Sequence, residues 1–230
     1  MGAGGKWYNN IKTVNGMPKL EDIYLYHIVN FDRLKSIFTC GCLYSDLTLR
    51  AKGISGGTSI AYEHIRARRR CTPVLPHKGL YVGACAPFYF ARHVPMLYRA
   101  KMGKTQGYDY EGGQDPIVYL VFKLTEVIDW AQHNGRRWVF TDRNAADGIV
   151  NFYSDLSMLP CLNWDVIRSK QWQGASDVKA AEFLVEEQVC IPDCLRGVAT
   201  MTEPRAEMVR KLMKMTGIDK PIKVLPKWYF

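Results

Sequence analysis

Short runs of β-branched and aromatic residues alternate along the chain with short stretches of helical spacing. The runs predict strands at 23–29, 80–84, 116–124, 138–140, 181–189, 197–200 and 222–225. Apolar residues at helical spacing predict helices at 33–38, 59–70, 152–159, 164–171 and 203–216. A flexible loop is predicted at 51–58, and an irregular segment at 87–98 that Pro95 interrupts. Because this order has no regular βαβ repeat, it favours an α+β fold over a doubly wound sheet.

Local signals refine this outline at both ends of the chain. Asn30 or Asp32 is predicted to cap the first helix, and Gly41 to end it. In the last helix the stripe of Met208, Leu212 and Met215 is predicted to face the core. Residues 1–20 are polar and glycine-containing and are predicted to form a flexible arm. Residues 21–230 are expected to form a single domain.

Charge is distributed unevenly over the 230 residues. The net charge is +9, yet residues 1–110 carry 16 Lys and Arg against 6 Asp and Glu, whereas residues 111–230 carry 15 against 16. A basic half of this kind favours a polyanionic partner, most simply nucleic acid, with solubility as the alternative explanation. No stretch approaches the ~18 apolar residues of a membrane span, and the start lacks a signal peptide, which predicts a cytoplasmic protein.

Several well-known sites are absent from the sequence. The chain has no G-x-G-x-x-G fingerprint, no P-loop, no H-E-x-x-H and no G-x-S-x-G elbow. Its seven cysteines include no C-x-x-C pair, so reduced structural thiols are expected and no metal site is predicted. Three features remain that could carry chemistry, and they are an arginine cluster, a histidine and a glutamate.

The arginine cluster lies in the helix predicted at 59–70. Positions 66, 68, 69 and 70 are all arginine. Their planar, permanently charged groups fit phosphates and are costly to bury, which indicates an anion site. A solvated helix face is the alternative.

The histidine and the glutamate each lie in a run of strand type. Glu182 stands in Ala181-Glu-Phe-Leu-Val185, where a carboxylate needs a partner, a cleft or an exposed sheet edge. His27 stands in the aromatic run 23–29, where a hydrogen-bonded core histidine is the simplest interpretation.

In combination and in order, these segments resemble the DarT-type DNA ADP-ribosyltransferase toxins over residues 20–230. The matching segments are Ile23-Tyr-Leu-Tyr-His-Ile, Asp32-Arg-Leu-Lys-Ser-Ile with Gly41, Ser59-Ile-Ala-Tyr-Glu-His-Ile, Arg68-Arg69, Pro87-Phe-Tyr-Phe with Pro95-Met-Leu-Tyr98, Gly112-Gly-Gln-Asp-Pro-Ile117, Phe140-Thr-Asp-Arg143, Ala181-Glu-Phe-Leu-Val185 and Trp228-Tyr. The chain departs from the pattern at Asn144, where a family member has histidine, and near Pro95, where the cationic position is shifted to Arg92-His93.

The resemblance implies an ADP-ribosyltransferase-like fold, with a split antiparallel β core, peripheral helices and NAD+ as substrate without a metal. It implies transfer of ADP-ribose onto a base of single-stranded DNA, typically thymine, by the toxin of a toxin–antitoxin system. The implied partner is a DarG-like macrodomain antitoxin.

The resemblance also implies roles for individual residues. Glu182 is expected to be the catalytic carboxylate, because breaking the bond from ribose to nicotinamide places positive charge on the sugar. Arg69 is expected to act in catalysis and in NAD+ binding. The other expected NAD+-binding residues are His27, Asn30, Tyr62 and Tyr89, and the expected DNA-binding residues are Arg66, Arg68, Arg70, Arg92 and Trp172. Aromatic residues near Phe88–Phe90 and Trp164–Trp172 are expected to stack on bases.

Two alternatives stay open at this point. A related transferase that modifies RNA or protein would share Glu182 and His27 but take a different acceptor. A non-catalytic module that binds single-stranded nucleic acid would use the same basic half and aromatic residues without NAD+.

Overall fold

A computed structural model describes residues 13–14 and 16–230. The predicted N-terminal arm therefore lies largely outside the described residues. Within the described part, the strands are β1 Thr13–Val14, β2 Met17–Pro18, β3 Tyr24–Asn30, β4 Cys42–Tyr44, β5 Cys85–Tyr89, β6 Ile117–Lys123, β7 Trp138–Thr141, β8 Phe152–Tyr153, β9 Glu182–Glu186, β10 Gln188–Cys190, β11 Leu195–Thr200 and β12 Ile222–Val224.

The same part of the chain forms nine α-helices and several 3-10 turns. The α-helices are α1 Leu34–Cys40, α2 Asp46–Ala51, α3 Glu63–Cys71, α4 Pro95–Met102, α5 Leu124–His133, α6 Trp164–Arg168, α7 Ser176–Lys179, α8 Ile191–Cys194 and α9 Glu203–Thr216. The 3-10 turns are Leu20–Asp22, Phe31–Arg33, Val82–Ala84, Leu156–Cys161 and Pro226–Trp228. None of these helices has the length and hydrophobicity of a membrane span.

An eight-stranded sheet organises the described fold, in the order β12-β11-β6-β3-β5-β9-β7-β8. All neighbours are antiparallel except β11 and β12. At the centre of the sheet, β6 is fully buried from Ile117 to Phe122, since side chains cover both of its faces. This arrangement confirms the predicted α+β class.

The sheet divides between β3 and β5. Each is fully laddered to its outer neighbour, β3 to β6 over seven pairs and β5 to β9 over five. The two strands pair with each other only at Tyr26 and Tyr89. The expected split β core is therefore present, and the split opens a gap between two four-stranded halves.

The gap between β3 and β5 explains how Pro87 can lie in the middle of a sheet. Its carbonyl oxygen accepts a hydrogen bond from His27 Nδ1 at 2.8 Å, so this side of Pro87 faces β3. A strand residue directs its N–H and C=O to the same side, and the proline nitrogen therefore faces the unladdered gap. The missing N–H breaks no ladder bond there.

Several predicted elements are shifted or wrong. Residues 80–84 are not a strand, because the β9 ladder ends at the pair Cys85–Glu186 and Glu187 turns away with φ 60°. The segment 87–98 is not irregular, since it holds the end of β5 and the start of α4. Pro95 begins that helix, where its missing N–H costs nothing.

Other boundaries follow local hydrogen bonding. The predicted helix at 152–159 is instead β8 followed by a 3-10 turn, and α6 ends at Arg168 instead of 171. The predicted strand at 181–189 is broken at Glu187 into β9 and β10. Asn30 caps the 3-10 turn before α1 by accepting from Asp32 N at 3.2 Å, whereas α1 itself begins after Arg33 without the predicted side-chain cap. Gly41 ends α1 with φ 66°, which a non-glycine residue rarely adopts.

The bounds of α9 are as predicted, but its predicted core stripe is wrong at two of three positions, and only Leu212 is buried. Met208 is 45% exposed and Met215 is 76% exposed, whereas Val209, Leu212 and Met213 are buried. The helix packs on α1 and β12 with the face that carries Val209 and Met213. It is therefore rotated about its axis relative to the prediction.

This rotation generates a stability prediction with a matched control. We expect Met213→Ala to lower the free energy of unfolding by about 2–5 kcal/mol, because the methionine fills buried space. The same change at exposed Met215 should stay within about 0.5 kcal/mol. Urea denaturation of both variants measures the difference, and equal effects at the two positions would contradict this packing.

Candidate active site

A large cavity of about 510 Å³ lies where the sheet divides. Its floor includes residues of β3, β5 and β9, and α3, α4 and the loop 54–62 form its walls. Most of the predicted site residues line it, and these are His27, Asn30, Tyr62, Arg66, Arg69, Tyr89, Trp172 and Glu182. The predicted residues Arg68, Arg70 and Arg92 do not line it.

Glu182 lies on the cavity floor and is 2% exposed. Arg69 meets it with two hydrogen bonds of 2.8 Å, Nη1 to Oε1 and Nη2 to Oε2. The backbone N–H of Ala145 donates a third at 2.9 Å to Oε1. A carboxylate buried to this extent needs such partners, and a bidentate arginine is the strongest of them.

Electrostatics at this pair favour the charged form of Arg69. Burial, the largest single cause, lowers the pKa of Arg69, whereas the charge and hydrogen bonds of Glu182, followed by Tyr89 and Cys85, raise it, and the net shift is upward. Tyr89 lies directly opposite Glu182 in the ladder, on the same face of the sheet. Burial, and next the charge of Glu182, raise the pKa of the Tyr89 hydroxyl, which stays protonated.

The other arginines of α3 explain why Arg69 points at Glu182. Arg66 and Arg70 are four residues apart and share a helix face. Both bind Asp46, at the start of α2, and both bind Glu63 at 3.0 and 2.8 Å. This network fixes the rotation of α3 and directs Arg69 to the cavity.

The pairing corrects the interpretation of the cluster as an open anion site. The guanidinium groups of Arg66 and Arg70 already bind carboxylates, so the structure does not support the prediction that they contact DNA phosphates. Arg68 is exposed and has no ion-pair partner among the described residues. The predicted Arg92 is half-buried, with its guanidinium 5.3 Å from the Trp228 ring centroid.

His27 lines the cavity beside the split. Its Nδ1 must carry the proton, because the Pro87 carbonyl can only accept. Burial lowers the pKa of His27, the hydrogen bond to Pro87 raises it and the charge of Arg33 lowers it, and the net pKa is about 4, below the ordinary 6.5. The ring is therefore neutral at pH 7, and Nε2 is a hydrogen-bond acceptor.

Asn30 and Tyr62 line the same end of the cavity. Besides its capping bond, Asn30 donates from Nδ2 to the Tyr110 hydroxyl at 3.4 Å, so its amide is already engaged. Tyr62 packs on Tyr108 with ring centroids 4.6 Å apart. Both residues are thus held in place before any ligand enters.

Trp172 lies on the loop between α6 and α7, and Lys179 at the end of α7 holds this loop against the end of α6. Lys179 is 1% exposed, and its ammonium donates to the carbonyls of Val166, Ile167 and Ser169 at the end of α6. Burial, and next Arg92, lower the pKa of Lys179 to about 8. The loop that Lys179 anchors places Trp172 against Tyr98, with ring centroids 5.9 Å apart.

The aromatic prediction needs one correction. Phe88, Phe90 and Trp164 are at most 7% exposed and belong to the core, so they have no free face for a base. Sequence reasoning missed Tyr98, which is 40% exposed beside Trp172. Its position in α4 could have been found from Pro95, since proline is common at the first helical position.

The described residues contain no candidate metal site. No cluster of three or more His, Cys, Asp and Glu side chains there could hold an ion. The seven cysteines are free.

Comparison with known proteins identifies the family. The family model described as "DarT: ssDNA thymidine ADP-ribosyltransferase, DarT" matches residues 26–230. The chain belongs to the DarT family. It is accordingly an NAD+-dependent DNA ADP-ribosyltransferase, which confirms the implied fold and activity.

Individual relatives agree with this. A DNA ADP-ribosyl transferase of Thermus sp. strain 2.9 is 34% identical over 216 residues, which cover 91% of this chain and 97% of the relative. One of Escherichia coli O127:H6 is 24% identical over 212 residues, covering 90% and 93%. The structure of Thermus sp. 2.9 DarT in complex with ADP-ribosylated single-stranded DNA is similar with a TM-score of 0.80 and 29% identity, covering 90% of this chain and 96% of the other. The same Thermus protein in complex with NAD+ has a TM-score of 0.77, with 26% identity and coverage of 90% and 98%.

The close approach of α3 to the 3-10 turn Val82–Ala84 generates a prediction at Gly83. A Cβ at this position would lie 2.7 Å from Arg70 Cα and 3.0 Å from Arg70 N, so α3 would have to move. Gly83→Ala should lower the free energy of unfolding by about 1–3 kcal/mol. Because Arg69 moves with α3, transfer of ADP-ribose should fall at least about tenfold.

Gly148→Ala is the matched control, since a Cβ there meets nothing within 4 Å. Thermal unfolding and transfer from labelled NAD+ measure both variants. A Gly83→Ala protein as active as the Gly148→Ala protein would contradict the close packing of α3.

Proposed function

We propose that this enzyme transfers ADP-ribose from NAD+ to a thymine base of single-stranded DNA, with Glu182 as the catalytic carboxylate. The observation that supports this assignment most strongly is the buried pair of Glu182 and Arg69 on the floor of a cavity large enough for a ligand. The family match and the Thermus complexes with NAD+ and with ADP-ribosylated DNA support the substrates.

NAD+ supplies a sugar carbon joined to nicotinamide, a good leaving group. Glu182 has a free acceptor position for the reaction. A carboxylate offers about four lone-pair positions, and the described contacts occupy three of them. The remaining position is on Oε2. From there the carboxylate faces the sugar and stabilises the positive charge that develops on it.

The acceptor base must lose a proton as it reacts. The bond from thymine N3 to the sugar carbon forms as the bond from that carbon to nicotinamide breaks. Nicotinamide leaves neutral with the bonding electron pair, and the N3 proton passes to Glu182 Oε2 and then to solvent. A neutral N3 is a poor nucleophile, so removal of this proton lowers the barrier.

Arg69 keeps the carboxylate in place during this step. Its permanent charge and planar fork hold both oxygens of Glu182, so that the carboxylate needs little reorganisation as charge develops. His27 offers Nε2 as acceptor for a sugar hydroxyl. The Tyr89 ring, on the same face as Glu182, is the proposed stacking partner of nicotinamide.

Single-stranded DNA is proposed to approach from the rim that carries Trp172 and Tyr98. Stacking of a base on such rings is worth about 1–3 kcal/mol. Arg68 and Arg92 are the proposed contacts to the DNA backbone.

The remaining proposals follow from the family resemblance. They are that the enzyme is the toxin of a toxin–antitoxin system, that a DarG-like macrodomain is its antitoxin, and that it acts in the cytoplasm. Coexpression with such a macrodomain, followed by measurement of DNA adducts, tests the partner.

The catalytic assignment predicts a selective loss of transfer in Glu182→Gln. We expect the transfer rate to fall by at least about 10²–10³, because the charge facing the sugar is removed while the shape is kept. Binding of NAD+ and of a thymine-containing oligonucleotide should stay within a few-fold of wild type. Mass spectrometry of the oligonucleotide after incubation with NAD+ measures the adduct and identifies the base.

Glu186→Gln provides the control. Glu186 lies four residues along the same strand, is paired bidentately with Arg137, and is outside the cavity. Transfer by this variant should match wild type. Wild-type rates in Glu182→Gln would remove it from catalysis, and label on RNA or protein instead of the oligonucleotide would change the acceptor.

A further inference from the structure

We propose that Arg99 binds the pyrophosphate of NAD+, an inference that rests on the proposed function. Arg99 lies in α4 and lines the cavity. Its guanidinium carbon is 5.7 Å from the ring centroid of Tyr108. Among the described residues its side chain has no hydrogen bond or ion pair, and its Nε is buried without a partner. The guanidinium carries five N–H donors, and none of them has an acceptor among the described residues.

The other arginines that line the cavity differ in this respect. Arg33 donates to the carbonyls of Gly57 and Thr58 at 2.9 Å. Arg66 is held by carboxylates, and Arg69 is held by Glu182. A buried donor without a partner costs free energy that a ligand can recover. Arg99 is thus the cavity arginine whose fork is free to bind an incoming anion.

Arg99 lies on a fixed platform. The Tyr108 ring under its guanidinium packs on Tyr62, and the Tyr108 hydroxyl donates to the Ile60 carbonyl at 3.2 Å. The guanidinium therefore lies against the wall formed by the loop 54–62. A preorganised arginine of this kind loses less conformational entropy when it binds a ligand.

Charge and placement favour the pyrophosphate as the anion. The charged residues that line the cavity are four arginines, Asp46 and Glu182, an excess of two positive charges. The pyrophosphate of NAD+ carries two negative charges. A dinucleotide whose nicotinamide end meets Glu182 must keep its pyrophosphate within the cavity, whereas the backbone of the acceptor DNA stays at the rim.

Calorimetric titration of NAD+ into Arg99→Gln tests the proposal. The dissociation constant should rise about 10- to 100-fold, as expected when a charge-assisted pair is lost. Binding of nicotinamide, which has no phosphate, should be unchanged. Arg99→Lys should give an intermediate loss, because it keeps the charge without the fork. It also replaces Arg99→Gln as the test if that variant does not fold.

Lys101→Gln is the control for charge alone, since Lys101 is exposed on the same helix. Its NAD+ affinity should stay within twofold of wild type. Unchanged NAD+ affinity in Arg99→Gln would overturn the inference. So would weaker oligonucleotide binding with NAD+ affinity unchanged, which would assign Arg99 to the DNA backbone. Wild-type protein that bound no NAD+ would overturn the proposed function as well, so the two failures are distinguishable.

Discussion

The ion pair between Arg69 and Glu182 is the interaction on which the rest of the site depends. A carboxylate that is 2% exposed is stable only with partners, and the bidentate arginine supplies the strongest ones. Arg69 is available for this because Asp46 and Glu63 bind its neighbours and fix the rotation of α3. The close contact of Gly83 with Arg70 sets the distance from α3 to the 3-10 turn that leads into β5. The main structural role of the arginine cluster in α3 is thus to position Arg69.

The split of the sheet supplies the space around that pair. Since β3 and β5 meet at a single pair of residues, the gap can hold a ligand without breaking a ladder. Pro87 makes this gap permanent on the side of β5, because it has no N–H to pair with β3. Its carbonyl instead binds His27 and fixes the tautomer that leaves Nε2 as an acceptor. Pro87 therefore keeps the gap open and also sets the tautomer of His27, which lines the cavity.

Local pattern drew attention to Glu182, His27 and the arginine cluster, whereas the family resemblance singled out Arg69 and implied a role for each residue. Neither could locate the partners of these residues. Asp46 is 20 residues from Arg66, and the donor to Glu182 from Ala145 is a backbone group without a sequence signal. Two of the three predicted core positions in α9 were wrong because helical spacing alone does not show which of two adjacent faces is buried. The packing of α9 on α1 selects the buried face. The boundary near Glu187 depended on where the neighbouring strand ended.

A double-mutant cycle on the transfer rate tests the central claim most directly. The cycle compares wild type with Arg69→Gln, Glu182→Gln and the double variant, each shown to be folded and to bind DNA. If the two side chains act as one unit, the double variant should lose about as much activity as the worse single variant. Losses that multiply would show that Arg69 and Glu182 act independently, and would contradict the dependence of the site on their ion pair.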